Sequence, residues 1–442
     1  MPNDVTSGAQ SPVASRSVNM PSNLPPMRAF AETRITRPSR SNAEIAADFL
    51  DLSFSLESGR ALPVLTRFEG PVTLSVNGQT TPALAQDVTR LLARLRVEAG
   101  IDIRQVPAGS PASITLQLIP KRELQRLVPH AACFVAPNVS GWEEYRKMRS
   151  TPATDWTRLT TRKRMSVFLP GDVSPQEMRD CLHEEVAQAL GPVNDLYRLH
   201  NSVFNDDNFH TVLTGFDMLI LRAYYAPELR SGMSRAEVAR RLPALLARLN
   251  PAGGHATTPA RTIATPRIWK DAIEGALGGS NSTSARRQAA ARAVEIARQY
   301  GWNDTRLAFA LFAQGRLNLG VNSDIALASF REAERIYQSS PNTRLQAAHM
   351  GVQLAAHALS LGNNATAIRI VDSHLGPVTQ AQNAALLSTL LMIKAEALEH
   401  QGDTRAAQLT RLDSLGWARY GFGTQANVGA RLAEIAALAP NG

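Results

Sequence analysis

Residues 174–195 read SPQEMRDCLHEEVAQALGPVND, and this stretch decides the fold of the first half of the chain. Ser174 can cap a helix, Pro175 suits the first helical position, and Glu177 completes a capping box. Gly191, which is followed by a proline, is typical of a helix C-terminus. The stretch therefore predicts a single helix that starts at Ser174 and stops at Gly191.

The predicted helix has one polar and one apolar face. Polar side chains recur on one face at spacings of three or four residues: Glu177, Asp180, Glu184 and Gln188. Apolar side chains follow the other face: Met178, Leu182, Val186 and Leu190. This spacing by itself fits an ordinary amphipathic surface helix with a solvated polar face. A functional role for the polar face therefore needs evidence from the rest of the sequence.

Short apolar runs before this helix predict a sheet. We expect strands where β-branched and aromatic residues cluster between turn residues: 62–68, 72–76, 101–106, 114–119, 133–136 and 165–169. Helical patterns interrupt these runs at residues 42–56 and 82–98. The order indicates an α+β domain in which the 174–191 helix packs on the sheet.

The second half of the chain has a different pattern, and no strand is predicted from Trp269 onward. Helices joined by short Gly or Asn turns are expected at 283–300, 304–319, 322–338, 342–361, 363–374, 378–401, 403–412 and 425–438. Small residues such as Ala308, Ala333 and Ala355 allow these helices to approach closely. We therefore expect an all-α domain of tetratricopeptide-like repeats, which binds a protein or peptide partner.

Composition divides the chain into four parts. Residues 1–41 are rich in Pro, Ser and Arg and predict a disordered arm. The α+β domain follows over residues 42–250. Residues 251–266, rich in Gly, Thr and Pro, predict a linker to the helical domain at 267–442.

Charge and hydropathy argue against a nucleic-acid-binding protein and against a membrane-spanning protein. The net charge is +9, but basic residues outnumber acidic ones by five to two in residues 1–41, 24 to 23 in 42–251 and 18 to 13 in 252–442. No segment is a concentrated basic patch, so we expect no nucleic-acid partner. No run of 18 apolar residues is present, so we expect no transmembrane helix.

Within the central helix, the pattern Glu-Glu-x-x-Gln-Ala-Leu-Gly resembles the active-site helix of the metzincin-like zincin metallopeptidases. In that family two histidines one turn apart and a third downstream group bind Zn²⁺, and a glutamate acts on the metal-bound water. The resemblance places Glu184 and Gln188 at the first two ligand positions and Asn194, with adjacent Asp195, at the third. It implies that Glu185 is the general base.

The sequence after the helix extends the resemblance. Residues 202–206 stand where these enzymes have a Ser-x-Met turn beneath the metal, and residues 213–225 stand for their final helix. More closely, residues 42–250 are similar to DUF2927, a bacterial family of unknown function with the same degenerate pattern. That resemblance implies a zincin-like fold and location in the periplasm or cell envelope. A leader outside this numbering would then supply export or a membrane anchor; the alternative is a cytoplasmic protein.

The ligand set departs from a zinc peptidase. A carboxylate and amide oxygens form a hard, weak set that suits Ca²⁺ or Mg²⁺ better than Zn²⁺, so a divalent metal is expected without zinc being assured. His183 lies about 100° around the helix from Glu184 and cannot replace it. His200 and His210 lie in the following loop.

Three functions remain open. The first is an envelope-associated protein whose degenerate domain binds peptide or cell-wall material with weak or no hydrolysis. The second is an active metallopeptidase with atypical Glu, Gln and Asn ligands. The third is a scaffold without enzymatic activity. Two cysteines, Cys133 and Cys181, could form one bridge in an exported protein, or remain buried thiols in the cytosol.

Overall fold

The computed structural model describes residues 24–30, 36–38, 40–129, 131–255, 264–279 and 281–440. Most of the predicted arm over residues 1–41 and half of the predicted linker over residues 251–266 lie outside these ranges. The chain forms two compact units. The first consists mainly of residues 34–264, and the second mainly of residues 265–442 with part of the N-terminal segment.

A five-stranded mixed sheet forms the centre of the first unit. Its strands are β1 (Val72–Asn77), β2 (Ile103–Val106), β3 (Ile114–Ile119), β4 (Phe134–Pro137) and β5 (Met165–Pro170). They lie in the order β2-β1-β3-β5-β4. Strand β4 is antiparallel to β5, and every other neighbouring pair is parallel. The predicted mixed domain of strands and helices is therefore confirmed.

The inner strands carry the apolar runs that the sequence showed. All six residues of β5 are buried, as expected for a strand that is covered on both faces. Leu116 of β3 lies opposite Val167 of β5. Both belong to the main hydrophobic core, which also includes Leu182 and Val186 from the central helix.

Seven helices surround this sheet. They are α1 (Asn42–Phe54), α2 (Pro82–Ala99), α3 (Lys121–Leu127), α4 (Trp142–Met148), α5 (Pro175–Leu190), α6 (Gly215–Tyr224) and α7 (Arg235–Leu249). Helix α5 is the predicted central helix, with each end one residue inside the expected bounds. Its apolar face lies in the core, so it is a buried element of the domain rather than a surface helix.

Residues 62–68 do not form a strand, contrary to the prediction. Their backbone pairs with a later loop instead: the Leu65 N–H donates to the Met233 carbonyl at 2.8 Å, and the Leu65 carbonyl accepts from the Gly232 N–H at 3.0 Å. Pro63 has no N–H for a ladder. The apolar residues that suggested a strand reach the core from this irregular segment.

The second unit is entirely helical in its described residues. Its helices are α8 (Arg267–Leu277), α9 (Thr283–Gln299), α10 (Thr305–Asn318), α11 (Ser323–Gln338), α12 (Arg344–Ser360), α13 (Asn364–Gln380), α14 (Ala384–His400), α15 (Thr404–Phe422) and α16 (Gln425–Ala436). Each helix packs against the next along the chain. The predicted all-α region is confirmed, and its description as tetratricopeptide-like stays a prediction.

Helix α15 extends beyond the predicted 403–412 helix. The glycines in its second half do not end the helix, because they allow it to pack closely. A Cβ on Gly421 would lie 2.6 Å from the Cα of Ala385 in α14. Only glycine permits that approach, so the residues that lower helix propensity here allow two helices to lie close together. Helix α8 was not predicted. Its residues Trp269 and Ile273 are buried and form its apolar face.

Residues 24–30, which fall inside the predicted arm, lie against α15 within the second unit. Phe30 stacks on Trp417 with ring centroids 4.4 Å apart. Arg28 pairs with Asp413 at 2.9 Å, and its backbone N–H donates to the Gly416 carbonyl at 3.0 Å. This short stretch is therefore held in an extended form by one helix.

Among the helices in the described ranges, none combines the length and the apolar character that a membrane span requires.

Candidate functional site

Buried donors hold the C-terminal end of α5. The Arg162 guanidinium, only 3% exposed, donates to the carbonyls of Gln188 and Gly191. The Tyr225 hydroxyl donates to the Leu190 carbonyl at 2.9 Å. Carbonyls at a helix C-terminus lack partners within the helix, and a cation there is favoured by the helix dipole. The chain therefore leaves α5 at a fixed point.

Gly191 is needed at this exit for space. A Cβ on Gly191 would lie 3.1 Å from the Tyr224 ring. Its backbone is not in the left-handed region that favours glycine. The close approach of α6 to the end of α5 therefore explains the glycine, and it sets the direction in which residues 192–195 leave the helix.

A disulfide joins Cys133 to Cys181, with Cα atoms 5.9 Å apart. The sequence had left this bridge open. Cys133 directly precedes β4, and Cys181 lies on α5 one turn before Glu184. The bridge therefore fixes the edge of the sheet against the helix that carries the predicted site.

A cleft of about 530 Å³ lies between these two elements. One wall is the β4 edge, with Cys133, Phe134 and Val135. The other is the polar face of α5, with Glu184, Glu185 and Gln188. The rest of the lining includes Ala131, Trp156, Glu57, Asp195 and Asp206. The polar face of α5 therefore faces a cleft within the domain.

The structure brings most of the predicted site residues together. Glu184, Glu185, Gln188 and Asp195 all line the cleft. Asn194, the predicted third ligand, is not among the lining residues; its Nδ2 donates to the backbone carbonyl of a residue in α1 at 2.9 Å. Of the two downstream candidates, the structure thus places Asp195 at the cleft and uses Asn194 to anchor the turn.

The histidines near this motif do not line the cleft. His183 is buried, and its Nδ1 accepts from the Leu213 N–H at 3.3 Å. Burial and the nearby Arg179 lower the pKa of His183 well below 6.5. Burial, followed by the charge of His200, lowers the pKa of His210 to about 4. Both His183 and His210 are therefore neutral at physiological pH.

Three carboxylates meet in the cleft. Glu57, Asp195 and Asp206 each place one oxygen within 4.8 Å of the other two. Sequence reasoning had singled out Asp195 of these three. Glu57 was missed, because a lone glutamate after a helix gives no sequence signal of a site.

Each of the three carboxylates lies on a fixed turn. Glu57 belongs to the turn after α1 that is closed by the Leu56 N–H donating to the Arg60 carbonyl at 2.9 Å. Asp195 is followed by Leu196, whose N–H donates to the Phe204 carbonyl at 3.0 Å. These backbone contacts place the acidic groups before any ligand binds.

The third carboxylate, Asp206, lies in a loop that is held by hydrogen bonds of its two neighbours in sequence. The amide of Asn205 donates to the Leu199 carbonyl at 3.0 Å and to Asp207 at 2.7 Å. Asp207 in turn accepts from the Phe209 N–H at 3.1 Å. Asp206 is thus presented from a short turn with internal hydrogen bonds.

The predicted turn at 202–206 is tied to the next helix. The Ser202 hydroxyl donates to Asp217, which also accepts from the N–H groups of Val203 and Thr214. Asp217 and Thr214 form a capping box at the start of α6. The 202–206 turn and helix α6 are therefore joined by one buried carboxylate.

The cleft is strongly acidic. Burial raises the pKa of Glu184 to about 7, with Glu57 and Asp206 adding to the shift. Burial and the charge of Glu184 raise the pKa of Glu185 well above its usual range. The pKa of Asp195 is raised in the same way, by burial and then Glu57. Carboxylates whose oxygens lie within 4.8 Å of one another repel when both are ionised, which favours the protonated forms.

This arrangement favours some chemistry over the rest. Carboxylate oxygens can hold a hard cation, and the edge strand offers backbone groups to an extended chain. Glu185 could exchange a proton with a bound molecule, and burial and the charge of Glu184 raise its pKa well above its usual range. Glu184 and Gln188 present a carboxylate and an amide to the same cleft.

Residues 42–244 match the family model described as "Protein of unknown function (DUF2927)". The predicted resemblance to this family is confirmed over those residues. No curated protein and no solved structure matches the chain.

Proposed function

We propose that the DUF2927 domain of this chain is a zincin-like binding domain of the bacterial envelope. Its cleft binds an extended peptide, or the peptide part of cell-wall material, with weak or no hydrolysis. The observation that carries this proposal is the cleft itself: the polar face of α5 and the open edge of β4 form its two walls.

The edge strand gives the peptide a binding mode. Among the described strands, β4 is the last of the sheet and pairs with β5 alone. An extended peptide can add to such an edge through main-chain hydrogen bonds, while side-chain pockets give specificity. Phe134 and Val135 on this edge line the cleft and provide apolar contact.

Weak or absent hydrolysis follows from the donor atoms. Carboxylate and amide oxygens at Glu184 and Gln188 hold Zn²⁺ less well than imidazole nitrogens do. A second candidate function, an active metallopeptidase with atypical ligands, is supported by one observation. Glu185, the predicted general base, lines the cleft, and its Oε2 has no hydrogen-bond partner in the described part of the chain.

The disulfide supports the proposed location. Bridges such as Cys133–Cys181 form and persist in oxidising compartments and are rare in the cytosol. Periplasm or cell envelope therefore remains our proposal. The role of the second, helical unit in binding a protein partner stays a prediction.

Binding of fluorescent extended peptides to the full-length chain tests the proposal. Ala131→Trp places a bulky ring in the cleft and is expected to weaken binding at least tenfold. Ala112→Trp is the matched control, because Ala112 is similarly half-buried and does not line the cleft. Equal binding by both variants would place any peptide site elsewhere.

A further inference from the structure

The acidic end of the cleft contains more carboxyl groups than the binding of an extended peptide requires. Glu57, Asp195 and Asp206 come from three separate segments of the chain, yet their oxygens lie within 4.8 Å of one another. Glu184 and Glu185 line the same cleft. Five carboxyl groups therefore share one cavity.

Two buried atoms point to a missing ligand. Asp195 and Glu185 are each 4% exposed, and both line the cleft. Among the residues that the structure describes, Asp195 Oδ1 and Glu185 Oε2 have no hydrogen-bond partner. A buried carboxylate oxygen without a partner is costly, so such atoms normally face a bound ion or water.

No basic side chain lines this cleft in the described part of the chain. Arginines that lie elsewhere in the unit donate to other groups, as Arg162 does at the end of α5. The described lining therefore offers these carboxyl groups no basic side chain, and its oxygen ligands suit a hard cation that enters from solvent.

We propose that Glu57, Asp195 and Asp206 bind one Ca²⁺ ion at this end of the cleft. Calcium takes six to eight oxygen ligands in flexible geometry, which suits carboxylates that come from different turns. Mg²⁺ demands a tighter octahedron and usually keeps several waters. Zn²⁺ prefers nitrogen and sulfur, whereas the described lining residues offer carboxylate oxygens, and the cysteine among them is in the disulfide.

The ion gives these segments a common anchor. The turn after α1, the exit from α5 and the 205–209 loop each contribute one ligand. Bound Ca²⁺ joins all three, so the floor of the cleft becomes more rigid when the ion is present. This site differs from the predicted set, since it uses Glu57 and Asp206 and neither Gln188 nor Asn194.

Calorimetric titration of the chelator-treated full-length chain with CaCl₂ tests the site. We expect one Ca²⁺ per chain with a Kd below about 1 mM, the range of extracellular calcium modules. Glu57→Gln is the decisive variant because Glu57 is exposed, so its replacement leaves the fold intact. It is expected to weaken binding by about tenfold or more, and Asp206→Asn likewise. Asp102→Asn, an exposed carboxylate away from the cleft, is the matched control.

Terbium luminescence gives an independent measure of position. Tb³⁺ replaces Ca²⁺ and emits when a nearby tryptophan transfers energy to it, and Trp156 lines this cleft. Trp156→Phe is expected to reduce the sensitised emission strongly while leaving the calorimetric Ca²⁺ affinity unchanged. Unchanged emission in Trp156→Phe would place the ion elsewhere and overturn the proposal.

Three calorimetric results would also overturn it: no saturable heat up to about 10 mM Ca²⁺, affinity unaffected by Glu57→Gln and Asp206→Asn, or stoichiometric Zn²⁺ that Ca²⁺ does not displace. The proposal does not rest on peptide binding. Calcium binding without peptide binding would support the ion site and defeat the proposed function. Peptide binding by a chain that takes up no calcium would support the proposed function and defeat the ion site.

Discussion

Glu184 and Gln188 share a face of α5, and both line the cleft. Their side chains offer a carboxylate and an amide, and oxygen ligands suit hard cations better than Zn²⁺. Glu185 lies beside them, with its pKa raised by burial and by Glu184. The two candidate functions therefore differ in whether these groups can hold a catalytic metal.

His183 allows a prediction about pH. Burial, then Arg179 and Arg94, hold its pKa well below 6.5 in the folded chain, while the unfolded chain takes up a proton near 6.5. The free energy of unfolding should therefore fall as the pH drops below about 6.5, by up to about 1.4 kcal/mol per pH unit from this residue. Urea unfolding from pH 7.5 to 5 measures the slope.

The matched variant is His183→Asn, because an asparagine oxygen can still accept from the Leu213 N–H. We expect the variant to be less stable than the natural chain at pH 7.5, and the difference to shrink towards pH 5. A difference that stays constant with pH would mean that His183 does not titrate between the folded and unfolded chain in this range.

Among the elements, α5 is the one that sequence reasoning placed best. Its bounds, its buried apolar face and its terminal glycine agree with the structure. Strands β3 and β5 were also predictable, since continuous apolar runs are typical of buried strands. The segment at 62–68 was not, because its hydrogen bonds go to the loop near Met233, a pairing that no local pattern encodes.

Arg162 carries the second prediction. Its removal leaves the buried carbonyls of Gln188 and Gly191 without donors, so Arg162→Met should destabilise the first unit by about 3 kcal/mol. Arg162→Lys should rescue only part of the loss, because an ammonium cannot reproduce the planar fork. Thermal unfolding of the full chain measures both variants. Arg158→Met, on an exposed arginine, is the control, and an equal effect there would contradict this role.

The disulfide between β4 and α5 gives the third prediction. Closing a loop across 48 residues stabilises the folded chain by about 4 kcal/mol in the chain-entropy account. Cys133→Ala with Cys181→Ala should therefore lower the unfolding temperature of the first unit, and reductant should lower that of the natural chain similarly. The double variant should not respond to reductant; a response would show that the reductant acts elsewhere.

For the whole molecule, the sequence predicted a mixed domain followed by a helical region, since strand-like runs occur only before the Gly-, Thr- and Pro-rich stretch at 251–266. It could not predict the site fully. Glu57 and Asp195 lie far apart in the chain, and only the folded domain brings them together. The cysteines likewise left two states open until their positions were known.

The contact between residues 24–30 and α15 gives the fourth prediction. Phe30 stacks on Trp417, so Trp417→Ala should release this segment and raise its amide hydrogen exchange about tenfold, as expected for the loss of about 1.4 kcal/mol. Exchange measured by mass spectrometry gives the readout. Tyr300→Ala removes an exposed aromatic from the same unit and should leave that exchange unchanged. An unchanged rate in Trp417→Ala would show that the stack does not hold the segment.

The most direct test of the proposed function measures peptide binding and cleavage together, on the full-length chain, with and without added Zn²⁺. The account predicts saturable binding that Ala131→Trp weakens, and little or no cleavage in either condition. Cleavage that Zn²⁺ stimulates and Glu185→Gln abolishes would contradict it, and would show that Glu184 and Gln188 support a working metallopeptidase.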